Sequence, residues 1–95
     1  PLGDGRPVTM NVGDNVTAAF NTTITIRCPV SGVPTPTVSW NKDGVRISVG
    51  MQYSVTRDNS LVIRGSASDD SAEYTCTVES VSGSDSASSI AKIIG

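Results

Sequence analysis

The chain has 95 residues, 37% of them apolar, with nine acidic and seven basic side chains and no histidine. That length supports one hydrophobic core. The lack of histidine excludes Ser-His-Asp and Cys-His nucleophiles and any His-containing metal site. The cations Arg6, Arg27, Lys42, Arg46, Arg57, Arg64 and Lys92 are dispersed, so nucleic acid, heparin-like polyanions and anionic lipid surfaces are poor partners.

Taken in order, Pro1-Leu2-Gly3 reads as a cloning or protease-site remnant. Pro7 to Val12 alternates apolar and polar residues before Gly13-Asp14, the pattern of an edge strand closed by a turn. Val16 to Phe20 continues along that edge. In Thr22 to Cys28, Ile24, Ile26 and Cys28 share one face at period two. Pro29 to Pro36 holds three prolines and a glycine and is expected to be a stiff, partly polyproline-like connection.

Val38 and Trp40 then alternate with Thr37, Ser39 and Asn41 up to the Asp43-Gly44 hairpin signal. Short strands are expected at 45–48, 52–56 and 61–64. Ala72, Tyr74, Cys76 and Val78 share one face of the next strand, and Ser82 to Ser86 reads as a flexible polar tip. In the last strand Ala87, Ser89, Ala91 and Ile93 face inward, leaving Ile90 and Ile94 outward. No helical period persists, no apolar run approaches the roughly 18 residues of a membrane span, and the aromatic content of 4% leaves the core to Val, Ile and Leu. The fold class is therefore all-β, an antiparallel sandwich of about eight short strands.

Cys28 and Cys76 are the two cysteines, with Trp40 after the first and Tyr74 two residues before the second. With the Gly32-x-Pro34-x-Pro36 and Trp40-x-Lys42-Asp43-Gly44 runs, Leu61-x-Ile63 and Asp70-x-Ala72-x-Tyr74-x-Cys76, the chain resembles an immunoglobulin-superfamily domain of the I-set over residues 4–95. The segment from Cys28 to Gly44 is also similar to modules of matrix proteins such as the papilin and ADAMTS-like families. The resemblance implies a Greek-key sandwich in which Cys28 and Cys76 bridge the two sheets. It also implies that Trp40 and Leu61 pack in the core and that the Tyr74 hydroxyl bonds backbone upstream. Such a bridge stabilises by roughly 4 kcal/mol in the chain-entropy model. The chain departs from the family pattern at Ala72, usually Gly, and at Gln52, usually Arg or Lys. Asp70 then lacks its expected ion-pair partner, with Arg46 and Arg64 as equal substitutes. The stretch from Gly13 to Cys28 is long, implying an extended or bulged first edge at Ala18 to Phe20.

Asp69-Asp70 is the one adjacent carboxylate pair, but calcium needs six or more converging oxygens. Asp70 is read instead as a hydrogen-bond acceptor at the turn into its strand. Asn15-Val16-Thr17 and Asn21-Thr22-Thr23 are N-glycosylation acceptors. No catalytic residue, metal site or cofactor is expected. The candidate contact surface is Phe20, Val33, Pro34, Pro36, Tyr53 and Ile90. The expected function is an extracellular protein-binding or spacer module of a multidomain matrix or cell-surface adhesion protein, next to other domains of its chain. Two alternatives are an intracellular structural domain of a filament or scaffold protein, with reduced cysteines, and weak homo-association through an exposed edge.

Overall fold

The computed structural model describes residues 7–29 and 36–95. Their strands are β1 Val8–Asn11, β2 Val16–Ala19, β3 Ile24–Arg27, β4 Thr37–Lys42, β5 Val45–Arg46, β6 Tyr53–Val55, β7 Leu61–Ile63, β8 Ala72–Ser80 and β9 Gly83–Ile94. A four-stranded sheet has the order β1-β3-β7-β6 and a five-stranded sheet the order β2-β9-β8-β4-β5. This is the immunoglobulin-like sandwich. The interior pairings are antiparallel, whereas β1 with β3 and β2 with β9 are parallel.

The period-two faces close the core. Ile24, Ile26 and Cys28 from one sheet meet Trp40, Tyr74, Cys76, Ala91 and Ile93 from the other, with Leu61 and Ile63 fully buried between them. Asp43 and Gly44 both take positive φ, 49° and 83°, as the tight β4–β5 hairpin demands. Along β9, Ser89, Ala91 and Ile93 are buried and Ile90 and Ile94 exposed, as the alternation requires; Ala87 lies beyond the covering sheet and is exposed.

Two expectations are corrected. Val16 to Ala19 does not extend the first edge: after Gly13-Asp14 the chain crosses to the other sheet, where Val16 pairs with Ala91 and Ala19 with Ile94. Ala18 is buried there, so its small side chain suits a strand pressed against the core. Counted as a strand of its own, β2 brings the strands among the described residues to nine. Ser82 to Ser86 is not a loose tip either, because the β8 ladder carries β9 out to the Ser80–Gly83 pair and leaves Val81-Ser82 as the turn.

Candidate functional site

Cys28 and Cys76 form a disulfide across the two sheets, with their Cα atoms 6.4 Å apart and both residues buried. Trp40 stands directly opposite Cys76 in the β4–β8 ladder. Its indole N–H would be an unpaired buried donor without the carbonyl of Asn59, which accepts it at 3.0 Å. Asn59 presents that carbonyl from a turn with φ of 67°, closed by Asn59 N–H donating to the Thr56 carbonyl and Thr56 N–H to the Ser60 carbonyl.

A second polar cluster surrounds Asp70, a buried carboxylate at the end of the 3-10 turn Ser68–Asp70. Its Oδ2 accepts from the Ala67 N–H and from Gln52 Nε2, at 2.8 and 2.7 Å, and its Oδ1 accepts the Tyr53 hydroxyl at 2.8 Å. Lys42 Nζ lies 3.9 Å from Oδ1 and donates to the Asp69 carbonyl at 2.9 Å. Neither arginine substitutes for the family cation. Arg64 donates to Ser54 Oγ, and Arg46 lies on the exposed β5. Gln52, where the family pattern has a cation, hydrogen-bonds the carboxylate directly, and Lys42 supplies the nearby charge.

The Tyr74 hydroxyl donates to the Asp70 backbone carbonyl at 2.5 Å. Burial pushes its ionisation far above the ordinary tyrosine value of 10.0, with a smaller contribution from the Tyr53 hydroxyl. Tyr53 moves in the same direction, through burial and its bond to Asp70. For a hydroxyl raised on folding, the stabilisation is complete below the unfolded pKa and declines above it, where only the unfolded chain loses the proton. Stability is therefore expected to fall from about pH 10 upward, chiefly through the buried Tyr74 and by at most about 1.4 kcal/mol per pH unit, with a smaller, solvent-screened part from Tyr53. Urea denaturation at pH 9, 10 and 11 checks this. Tyr74→Phe should be less stable at pH 9 yet show a shallower alkaline loss.

The remaining candidates are scattered. Val33 and Pro34 lie outside the described residues, and Pro36 is half-buried. Phe20 and Ile90 are 59% and 50% exposed. Phe20 sits just past β2, its N–H donating to the Ile94 carbonyl. Tyr53 is only half free: its hydroxyl is committed to Asp70, while its ring lines a shallow groove of about 300 Å³ with Lys42, Val45, Arg46, Ile47 and Ser48. Around that groove Val45, Val49 and Met51 are largely exposed. This flank, between the outer strands β5 and β6 of the two sheets, combines an aromatic ring, two cations and bare apolar side chains. Such residues anchor protein interfaces. The sequence signal available for it was the alternation of apolar residues at 45, 47, 49 and 51, of which the structure puts only Val45 in a strand.

Both sequon asparagines are exposed. Asn15 Oδ1 accepts the Ile90 N–H at 3.0 Å, and Asn21, at φ of 70°, occupies the turn leaving β2. Among the described residues no group of three or more Cys, Asp or Glu side chains is arranged to hold a metal ion.

The Immunoglobulin I-set domain model matches residues 7–93. The chain belongs to that family. It is 43% identical over 81 residues to a titin homolog of Caenorhabditis elegans and 39% identical over 74 residues to hemicentin-1 of Mus musculus. Those matches take in 81% and 75% of the chain but 0% and 1%, to the nearest per cent, of the relatives' lengths. ADAMTS-like protein 3 of Homo sapiens is 32% identical over 83 residues, 87% of the chain and 5% of that protein. Among solved structures, titin domain M7 superposes with a TM-score of 0.80 at 32% identity, covering 86% of this chain and 87% of that one. Immunoglobulin domains of this kind occur in multidomain proteins, with extracellular relatives such as hemicentin and intracellular ones such as titin.

Proposed function

We propose that the chain is a non-catalytic, extracellular protein-binding or spacer module of a multidomain matrix or cell-surface protein. The observation that carries the reading is the Cys28–Cys76 bridge at the centre of the core. Disulfides persist in oxidising compartments and are rare in the cytosol. Hemicentin-1 and ADAMTS-like protein 3 are the relatives that accord with it. Protein contacts would use the β5–β6 flank, where Tyr53, Arg46 and Val45 supply the residue types of interface hot spots. Phe20 and Ile90, exposed at opposite ends of the β2–β9 pairing, are separate further contact candidates.

The competing reading is an intracellular filament or scaffold domain, and the 43% identity to the titin homolog favours it. An antibody against the chain, applied to unpermeabilised cells and to the matrix fraction, separates the two. Labelling without permeabilisation supports the extracellular module; labelling confined to permeabilised cells overturns it. On the same reading, material secreted by eukaryotic cells should exceed the 9.8 kDa of the polypeptide by a glycosidase-removable mass. Asn15→Gln and Asn21→Gln should each remove one increment, and secreted protein at the bare polypeptide mass would discard glycosylation at both.

A further inference from the structure

β9, with 12 residues, outruns both its neighbours, and β2 by far the more. β8 pairs along it from Ala91 to Gly83, but β2 covers only Ala91 to Ile94. On the β2 side, the Ile94 carbonyl accepts from Phe20 and the Ile90 N–H is taken by Asn15 Oδ1. Even-numbered residues of β9 thus direct their backbone polar groups to that side, and the alternation carries to Ser88, Ser86 and Ser84. No strand among the described residues pairs with them there. The Ser86 N–H is held only by the carboxylate of its neighbour Asp85, at 2.8 Å. Gly83 to Ala87 are exposed, and neither a lysine nor a proline guards the segment.

We propose that this edge pairs antiparallel with the same edge of a second copy of the chain, about a two-fold axis at Ser86. That axis sets Ser86 opposite its own counterpart and Ser84 opposite Ser88. Every facing residue is then one whose N–H and C=O both point outward, so the ladder closes in register and is self-complementary. The segment is built of Gly, Ser, Ala and one Asp, so no bulky side chain obstructs the approach. Asp85 falls opposite Ala87 of the second copy, and the two Asp85 side chains are diagonal neighbours about 7–8 Å apart. Asp85 therefore opposes pairing twice, by occupying the Ser86 N–H and by mutual repulsion.

Beside the edge lies an open depression of about 140 Å³, lined among others by Val12, Cys28, Val78 and Ala87. Ala87 of the second copy is on the same side of the extended sheet and caps its mouth. Asn15 stands at the Ile90 end of the open segment, so a glycan there would cover it. Pairing along this edge needs neither an oxidising nor a reducing compartment.

Sedimentation equilibrium of unglycosylated protein, from micromolar to millimolar concentration, tests it. A reversible monomer–dimer equilibrium is expected, tightened about tenfold by Asp85→Ala. Ser86→Pro removes an N–H that the β8 ladder does not use and should abolish the dimer. Should the proline disturb folding, Ser86→Lys places two ammonium groups opposite each other at the axis and should weaken pairing with the circular dichroism spectrum unchanged. A single monomeric species throughout, Asp85→Ala included, overturns the proposal. So does a dimer indifferent to Ser86→Lys.

Discussion

Replacing Cys28 and Cys76 together by alanine is expected to cost about 4 kcal/mol of folding stability. The bridge closes a loop of sequence separation 48, and the chain-entropy relation for a loop of that length gives roughly 4 kcal/mol at 25 °C. A domain of this size has only about 5–15 kcal/mol in total, so the variant should keep the fold while its unfolding midpoint drops by roughly 15–30 °C. Single substitutions such as Cys28→Ser should cost at least as much as the double, because each already opens the loop. Each also leaves a thiol and a hydroxyl facing one another where Cys28 and Cys76 are 4% and 1% exposed. Thermal unfolding of the three variants in non-reducing buffer measures this. A double variant within about 1 kcal/mol of the parent would mean that sheet packing around Trp40 and not the bridge dominates.

The second large effect is expected at Asp70. Asp70→Ala removes one carboxylate but strands the Ala67 N–H, the Gln52 amide and the Tyr53 hydroxyl, and takes away the charge near Lys42. Hydrogen bonds to charged groups are worth about 1.5–3 kcal/mol each, and breaking a buried charged cluster costs about 3–5 kcal/mol. Gln52 and Tyr53 are half-buried, so water recovers part of the loss. A cost near 3 kcal/mol is expected. Asp70→Asn keeps the shape but points an amide donor at a ring of donors, and should cost about half as much. Urea denaturation at pH 7 gives both numbers. The Tyr53 ring is pinned through the same carboxylate, so these variants should also loosen the β5–β6 groove, visible as broadened Tyr53 ring resonances.

Much of the fold was legible because period two is imposed by the pleat. Ile24, Ile26 and Cys28, and Ala72, Tyr74 and Cys76, face the core as their alternation required. What could not be read was partner choice over long distances. Val16 to Ala19 carries a strand pattern, but nothing local says that it pairs with residues 91–94 in the other sheet. Ser82 to Ser86 has loop composition, yet the preceding nine residues of β8 hold it in a ladder. At the polar cluster, Asp70 was recognisable as a turn acceptor. Its donors were legible only in part: the family pattern pointed to position 52, whereas Tyr53 and Lys42 reach the carboxylate only once β6 and β4 are folded against the turn. The β5–β6 flank was missed except for Tyr53, since exposure of Val45, Val49 and Met51 follows from what fails to cover them.

The central claim, a disulfide-bridged module at work outside the cytosol, is tested most directly by the thiol state of the protein taken from its native source. Denaturation in the presence of iodoacetamide without reductant, followed by mass analysis of the peptides, reports Cys28 and Cys76 individually. The extracellular reading predicts that neither cysteine is alkylated until reductant is added. Alkylation of both before reduction would contradict it and give the chain to the intracellular filament class.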